Sequence, residues 1–428
     1  MQDGRANWSA APVGGQAAID SPSWPPLGAT HKRRWLGAHE GQHPGPTMVV
    51  VGGIHGNEPS GVEAVEQVLH ELAQRKPSMR GRLLGLSGNI RALAQNVRYL
   101  ERDLNRRWYP DHLARLRDQP PEQDSPEDTE QRELLKIFDR LDETFDHPLV
   151  VIDLHSFSAE GPPFSVVADT LRNRPIAFEL RVPIIFGLEE AVEGTLLGYL
   201  ADLGHVAVGF EAGQHEDPHT VDNHVAAIWI AMVAAGLLAR EDVPELQAFE
   251  QRLEQAAAGF PQAVEIVYRH GIRPEHAFRM DPGFVNFQPI RRGQRLAVDR
   301  EGEIAAPSNG RILMPLYQGL GEDGFFVARD LGSARLQLSA ALRKLRVEGL
   351  LPYLPGVQVD ERSGDEIRLE AIGDRPAVKE VLRMLGYRKE VGQGGAVRLA
   401  RRRQEQSNRR GRGGGLQGLP DLQNGQDE

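Results

Sequence analysis

The sequence predicts an α/β protein: a mixed, mostly parallel sheet flanked by helices, followed by a small β-rich second domain and a small α+β appendage. Three observations carry this. Short apolar runs recur between Met48 and Phe210 and alternate with stretches of helical period, the pattern of a largely parallel sheet with helices on its faces. Runs such as Met48-Val49-Val50-Val51 are continuously apolar, which suits strands buried on both sides. Beyond about residue 260 the texture shifts to short strand-like pieces between glycine turns.

In chain order, residues 1–44 are rich in Gly, Pro, Ala and Ser and read as a loose arm, with a strand near Lys32 to Gly37. The principal domain is expected over 45–242. Its first strand, at Met48, is ended by Gly52-Gly53. An amphipathic helix over 60–74 follows, with Val62, Val65, Val68, Leu69 and Leu72 on one face. Arg82 to Leu86 is the next strand, Asp118 to Asp128 a polar surface loop, and 129–145 a helix. Leu149-Val150-Val151-Ile152-Asp153-Leu154 is a strong strand, with others at 164–168, 183–186 and 205–210, and a helix over 224–239.

A helical linker at 243–258 leads to the β-rich domain, 260–335, with strands at Gly283-Phe-Val-Asn, Gly293-Gln-Arg-Leu-Ala-Val, Gly310-Arg-Ile-Leu and Gly324-Phe-Phe-Val. Residues 336–400 read as helix, strand, helix, strand. Residues 401–428 are Arg, Gly, Gln and Asp without period, and read as a disordered tail.

Composition narrows the function classes. There is no cysteine, so thiolate chemistry and disulfides are excluded, and any metal must sit on His, Asp or Glu. The net charge of −10 argues against nucleic acid or a membrane surface as partner, although the tail's Arg401 to Arg412 is locally basic. No apolar run is long enough to span a membrane, and a cytoplasmic protein is expected. The composition is compatible with a homo-oligomer.

The chemistry-bearing residues gather just past apolar strands, where an α/β fold places its ligands. The first strand runs into Gly52-Gly-Ile-His55-Gly-Asn-Glu58-Pro, the second into Asp153-Leu-His155-Ser, the third into Gly209-Phe-Glu211-Ala-Gly213. Two histidines and a carboxylate, His55, Glu58 and His155, make the ligand set of a catalytic zinc site with one position open. Glu211 is then the carboxylate left to act as general base. In Arg98-Tyr-Leu-Glu-Arg-Asp-Leu-Asn-Arg106 the Asn105-Arg106 pair can grip a carboxylate.

These four motifs, in this order, resemble the succinylglutamate desuccinylase and aspartoacylase family, whose fold is zinc carboxypeptidase-like. The resemblance covers about 45–335. It implies one zinc ion per chain on His55, Glu58 and His155, and Glu211 as base and later proton donor. It implies Arg98 as the group that polarises the scissile carbonyl, Asn105 and Arg106 as the grip on the substrate α-carboxylate, and Asp103 as the carboxylate orienting His55. The expected activity is hydrolysis of a small-molecule N-acyl amino acid. A metallocarboxypeptidase acting on short peptides, or a silent metabolite-binding relative, are the alternatives.

The sequence departs from the aspartoacylase pattern in two places. That enzyme's arginine for the substrate side-chain carboxylate falls here near Ala201, and no Lys or Arg occurs from Val182 to Ala239, a stretch holding Glu189, Glu190, Glu193 and Asp202. Its second-domain tyrosine is matched by Phe325 or Phe326. A substrate with a neutral or basic side chain is therefore expected.

Overall fold

Met48 to Val51 have no solvent exposure, and the sheet is built outward from them. The computed structural model describes residues 33–345, 347–359, 366–369, 376–390 and 397–400. The main sheet takes strands β1 (Trp35–Glu40), β2 (His43–Gly52), β3 (Arg80–Ser87), β4 (Val150–Phe157), β5 (Phe164–Val167), β6 (Ile184–Phe186), β7 (Val206–Gln214) and β8 (Ala263–Gly271). After β9 (Arg279–Met280), the chain forms β10 (Pro289–Ile290), β11 (Arg295–Asp299), β12 (Gly302–Ala305), β13 (Gly310–Leu313) and β14 (Asp323–Asp330).

The spatial order is β1-β3-β2-β4-β7-β5-β6-β8-β14-β13-β10. Strands β3, β2, β4 and β7 are parallel neighbours. β5 runs antiparallel to β7, and β6 and β8 continue parallel to β5. β9, β11 and β12 form a separate small sheet.

Alternate residues of β2 feed different cores. Met48 and Val50 pack with Val62, Val65 and Val68 of helix Ser60–Arg75 and with Ile228 and Ile230 of helix His219–Ala234. Val49 and Val51 pack with Leu134, Leu135 and Phe138 of helix Pro126–Thr144 and with Leu196 and Leu200 of helix Leu196–Leu203. Double coverage of this kind explains the unbroken apolar runs.

Some local expectations shift. Helix Pro126–Thr144 starts inside the expected 118–128 loop, because Ser125 and Asp128 close a capping box and proline is tolerated in a first helical turn. Gly283–Asn286 is a turn rather than a strand: Gly283 has φ +90° and Phe287 φ +66°, both incompatible with extended backbone. Residues 33–44, placed in the arm by composition, hold β1 and the first two residues of β2.

The appendage contains helices Ser333–Lys344 and Pro376–Met384 and a sheet of β15 (Val357–Val359), β16 (Glu366–Leu369), β17 (Lys389–Glu390) and β18 (Val397–Ala400), ordered β15-β16-β18-β17. Residues 1–32 of the arm and the tail 401–428 lie outside the described residues. No helix among the described residues is long and apolar enough to cross a membrane.

Candidate metal centre

Strand register delivers the polar residues to one place. On the central parallel strands Gly52 pairs with Leu154, and His155 with Glu211, so the carboxyl ends of β2, β4 and β7 are level. His55 and Glu58 follow β2 in a turn that needs its glycines. Gly53 has φ +70°, and a Cβ on Gly56 would lie 2.1 Å from the Ala92 backbone, so larger residues are excluded there.

One ligand atom from each of His55, Glu58 and His155 lies within 4.8 Å of the others. Glu58 Oε1 is 2.9 Å from His55 Nδ1, and Oε2 is 3.1 Å from His155 Nδ1. The outer nitrogens are also engaged: His55 Nε2 is 3.1 Å from Asp103 Oδ1, and His155 Nε2 is 2.9 Å from Asp153 Oδ2. Carboxylates that fix the far nitrogen of a ligating histidine are the usual support of a metal site. Asp153 sits two residues before His155 on β4 and so points to the same face, a signal present in the sequence and not used there.

All three side chains are buried, with exposures of 4%, 2% and 6%. Two nitrogens and a carboxylate converging in a buried cluster fit zinc or a similar divalent ion. Burial opposes charge on Glu58, but the His55 and His155 rings outweigh it and hold its carboxyl well below the usual range. Burial also opposes charge on His155, yet Asp153 and Glu58 keep its pKa well above the ordinary histidine value.

Glu211 behaves differently. Burial pushes its pKa up to about 8, with Glu58 and Asp153 adding to the rise and His155 and Arg98 countering it. Its Oε2 is buried and has no hydrogen-bond partner among the described residues. An acceptor left open beside a ligand cluster is available for a proton.

Arg98, Asn105 and Arg106 line the same pocket as these four residues. Arg98 donates from Nε and Nη2 to Asp103 Oδ2 at 3.1 and 3.0 Å, which leaves Nη1 3.5 Å from Glu58 Oε1. Burial raises the Asp103 carboxyl, but Arg98, His55 and Arg106 hold it well below its ordinary value. Asn105 Oδ1 accepts from the Leu196 N–H at 2.8 Å, which fixes the amide. Arg106 donates from Nη2 to Asp323 Oδ2 at 2.7 Å and from Nη1 to the Asn105 carbonyl at 2.9 Å.

Two carboxylates that the sequence reading passed over complete the surroundings. Glu127, fully buried, accepts the backbone N–H groups of Leu100, Glu101 and Arg102 at 2.8–3.3 Å and so holds the 98–106 segment. Asp323 faces Arg106 across the pocket. Of the acids expected near the site, Glu189 lines the pocket. Phe326 also lines it, whereas Phe325 turns into a second core and stacks on His270 at 5.0 Å.

The fold and the site together define a helix-covered α/β protein that gathers a His-Glu-His ligand set and a free buried acid at the carboxyl ends of its strands. Residues 44–237 match the succinylglutamate desuccinylase/aspartoacylase catalytic domain, so this part of the chain is a catalytic domain of that family. It is 39% identical over 88 residues to a succinylglutamate desuccinylase of Pseudomonas putida, covering 19% of this chain and 26% of that protein. It is 45% identical over 65 residues to one of Erwinia tasmaniensis, covering 14% and 20%. The aligned part thus spans about a quarter or less of these relatives' length. In fold, the chain is similar to a succinylglutamate desuccinylase/aspartoacylase of Rhodobacter sphaeroides, with a TM-score of 0.50, 18% identity, and coverage of 69% of this chain and 88% of that one.

Proposed function

We propose that this protein is a zinc-dependent deacylase that hydrolyses the amide bond of a small N-acyl amino acid, with Glu211 as general base. The observation that carries the reading is the open Oε2 of Glu211 beside the His55–Glu58–His155 cluster. Those three residues would hold the ion, and a bound zinc ion supplies an acidified water and positive charge for the carbonyl oxygen.

The remaining work falls to the chain. Glu211 takes a proton from the attacking water at Oε2 and returns it to the departing amine. Arg98, its guanidinium fixed on Asp103 with Nη1 turned toward Glu58, donates to the carbonyl oxygen as charge develops there. Asn105 and Arg106 hold the α-carboxylate and so fix which amide reaches Glu211.

The test is metal analysis of the purified protein with a panel of N-acyl amino acids. The expected result is zinc at one per chain, hydrolysis lost on chelation and restored by zinc. A zinc-loaded protein that releases no carboxylic acid from any member of the panel overturns the reading.

A further inference from the structure

The pocket holds few cations and spends them internally. Arg98 and Arg106 are the only Lys or Arg among its described lining residues. Arg98 is paired with Asp103, and Arg106 with Asp323. The segments that build the walls add none: neither Lys nor Arg occurs from Val182 to Ala239 or from Ile312 to Ala328. Beyond Glu58 and Glu211, three further carboxylates line the pocket: Glu189, Glu322 and Asp323.

Asp323 opens β14 and is 9% exposed. Its Oδ2 takes Arg106 Nη2 at 2.7 Å, and its Oδ1 takes Arg269 Nε at 2.5 Å. Arg269 in turn donates to the Ala191 carbonyl at 3.0 Å. Burial disfavours charge on Arg106, but Asp103 and Asp323 more than offset it and hold it cationic. Asp323 therefore stands against Arg106 as a second carboxylate of a ligand would.

We propose that Asp323 sets the charge selectivity of the pocket. By offsetting one of the two positive charges of Arg106 and Arg269 it leaves capacity for one substrate carboxylate and selects against an N-acyl amino acid whose side chain is also acidic. This rests on the deacylase reading of the same site. An acidic side chain would be buried beside Glu322 and Asp323 with no further Lys or Arg among the described lining residues to meet it, and an unpaired buried charge is costly. A neutral side chain escapes that cost, and a basic one meets the acids with favourable sign. Rejection by like charge is a general route to specificity.

The experiment compares wild type, Asp323→Asn and Arg269→Gln, all zinc-loaded, on the Nα-acetyl derivatives of aspartate, alanine and lysine. Binding of the free amino acids is measured in parallel by calorimetry. In wild type, kcat/KM is expected to favour the alanine and lysine derivatives over the aspartate one by roughly 100-fold. Asp323→Asn should narrow that ratio by about tenfold, and Arg269→Gln, which leaves the Asp323 charge less compensated, should widen it. The calorimetric preferences should shift in the same directions.

Wild-type preference for the aspartate derivative overturns the proposal, as does an unchanged ratio in the folded variants. If Asp323→Asn does not fold, Arg269→Gln decides. Turnover with unchanged charge preference defeats only this inference. Absence of turnover on every derivative defeats the deacylase reading, and the calorimetric shifts then decide whether Asp323 sorts amino acids by charge.

Discussion

The molecule buries charge in two places, and the two are built on opposite principles. Under the appendage, Asp169 meets Arg174, Arg343 and Arg388 at 2.8–2.9 Å. Glu265 meets Arg329 and Arg388, and Glu380 meets Arg329 and Arg335. Each of these three carboxylates has at least two guanidiniums, and together they join the appendage to the main domain. At the strand ends the balance is reversed. Glu58, Asp103, Asp153 and Glu211 share Arg98, two imidazoles and the more distant Arg106, and Glu211 Oε2 and Asp153 Oδ1 have no hydrogen-bond partner among the described residues. A cluster that only joins segments closes its charges on itself. One proposed to take up a cation and a proton keeps a deficit of positive charge and an acceptor free.

The comparison breaks most visibly at Glu211. Glu211→Gln removes the carboxylate that can take a proton while keeping the proposed ligand set, so turnover should fall by roughly 10²–10⁴-fold with zinc content unchanged. Steady-state kinetics with metal analysis on the same sample checks this, and retained turnover takes Glu211 out of the chemistry.

Next in size is the closed cluster. Asp169→Asn strands three guanidiniums around a buried neutral amide and should cost about 3–5 kcal/mol. Denaturant unfolding measures it. If the clamp is structural only, turnover per folded molecule is unaffected.

Asp153→Asn tests the metal centre from behind. It leaves all three ligands and should weaken zinc affinity about 10–100-fold through the orientation of His155. Competition with a chromogenic chelator reads the change, and unaltered affinity would show that Asp153 is only a packing contact.

The smallest effect is in pH. In the metal-free protein the folded pKa of His155 lies well above its ordinary value, and that of Glu211 is about 8. Each raised pKa stabilises the fold fully below the group's unfolded value, and that stabilisation is lost as pH rises through the folded value. The melting temperature of zinc-stripped protein should therefore fall as pH rises through about 8. Glu211→Gln should flatten this decline in scanning calorimetry. On the zinc reading, metal uptake should displace the His155 proton, so affinity should weaken toward acid pH.

Much of this was readable in advance, for identifiable reasons. The strands at Met48, Leu149 and Val206 announce themselves because each carries an apolar run that is buried on both faces. The ligand turn is legible because Gly53 and Gly56 admit no larger side chain there, and because His55 and Glu58 are close in sequence. Asp103 and Arg98 share a segment short enough for a motif to capture both.

Other features depend on residues far apart in the chain. Glu127 reads as an ordinary acid in a helical first turn until the fold brings the N–H groups of residues 100–102 onto it. Asp323 looks like one half of a polar turn, and only the joining of β14 to β8 sets it between Arg106 and Arg269. The antiparallel placement of β5 beside β7, which puts Phe164 against Glu211, also follows from packing. By itself the sequence determined the strands and singled out the proposed ligand set and base, since those depend on local pattern and on which residue types can bind a cation. The tertiary structure alone decided which carboxylates are answered by guanidiniums and which are left open, because burial and charge pairing across distant segments exist only once the chain has folded.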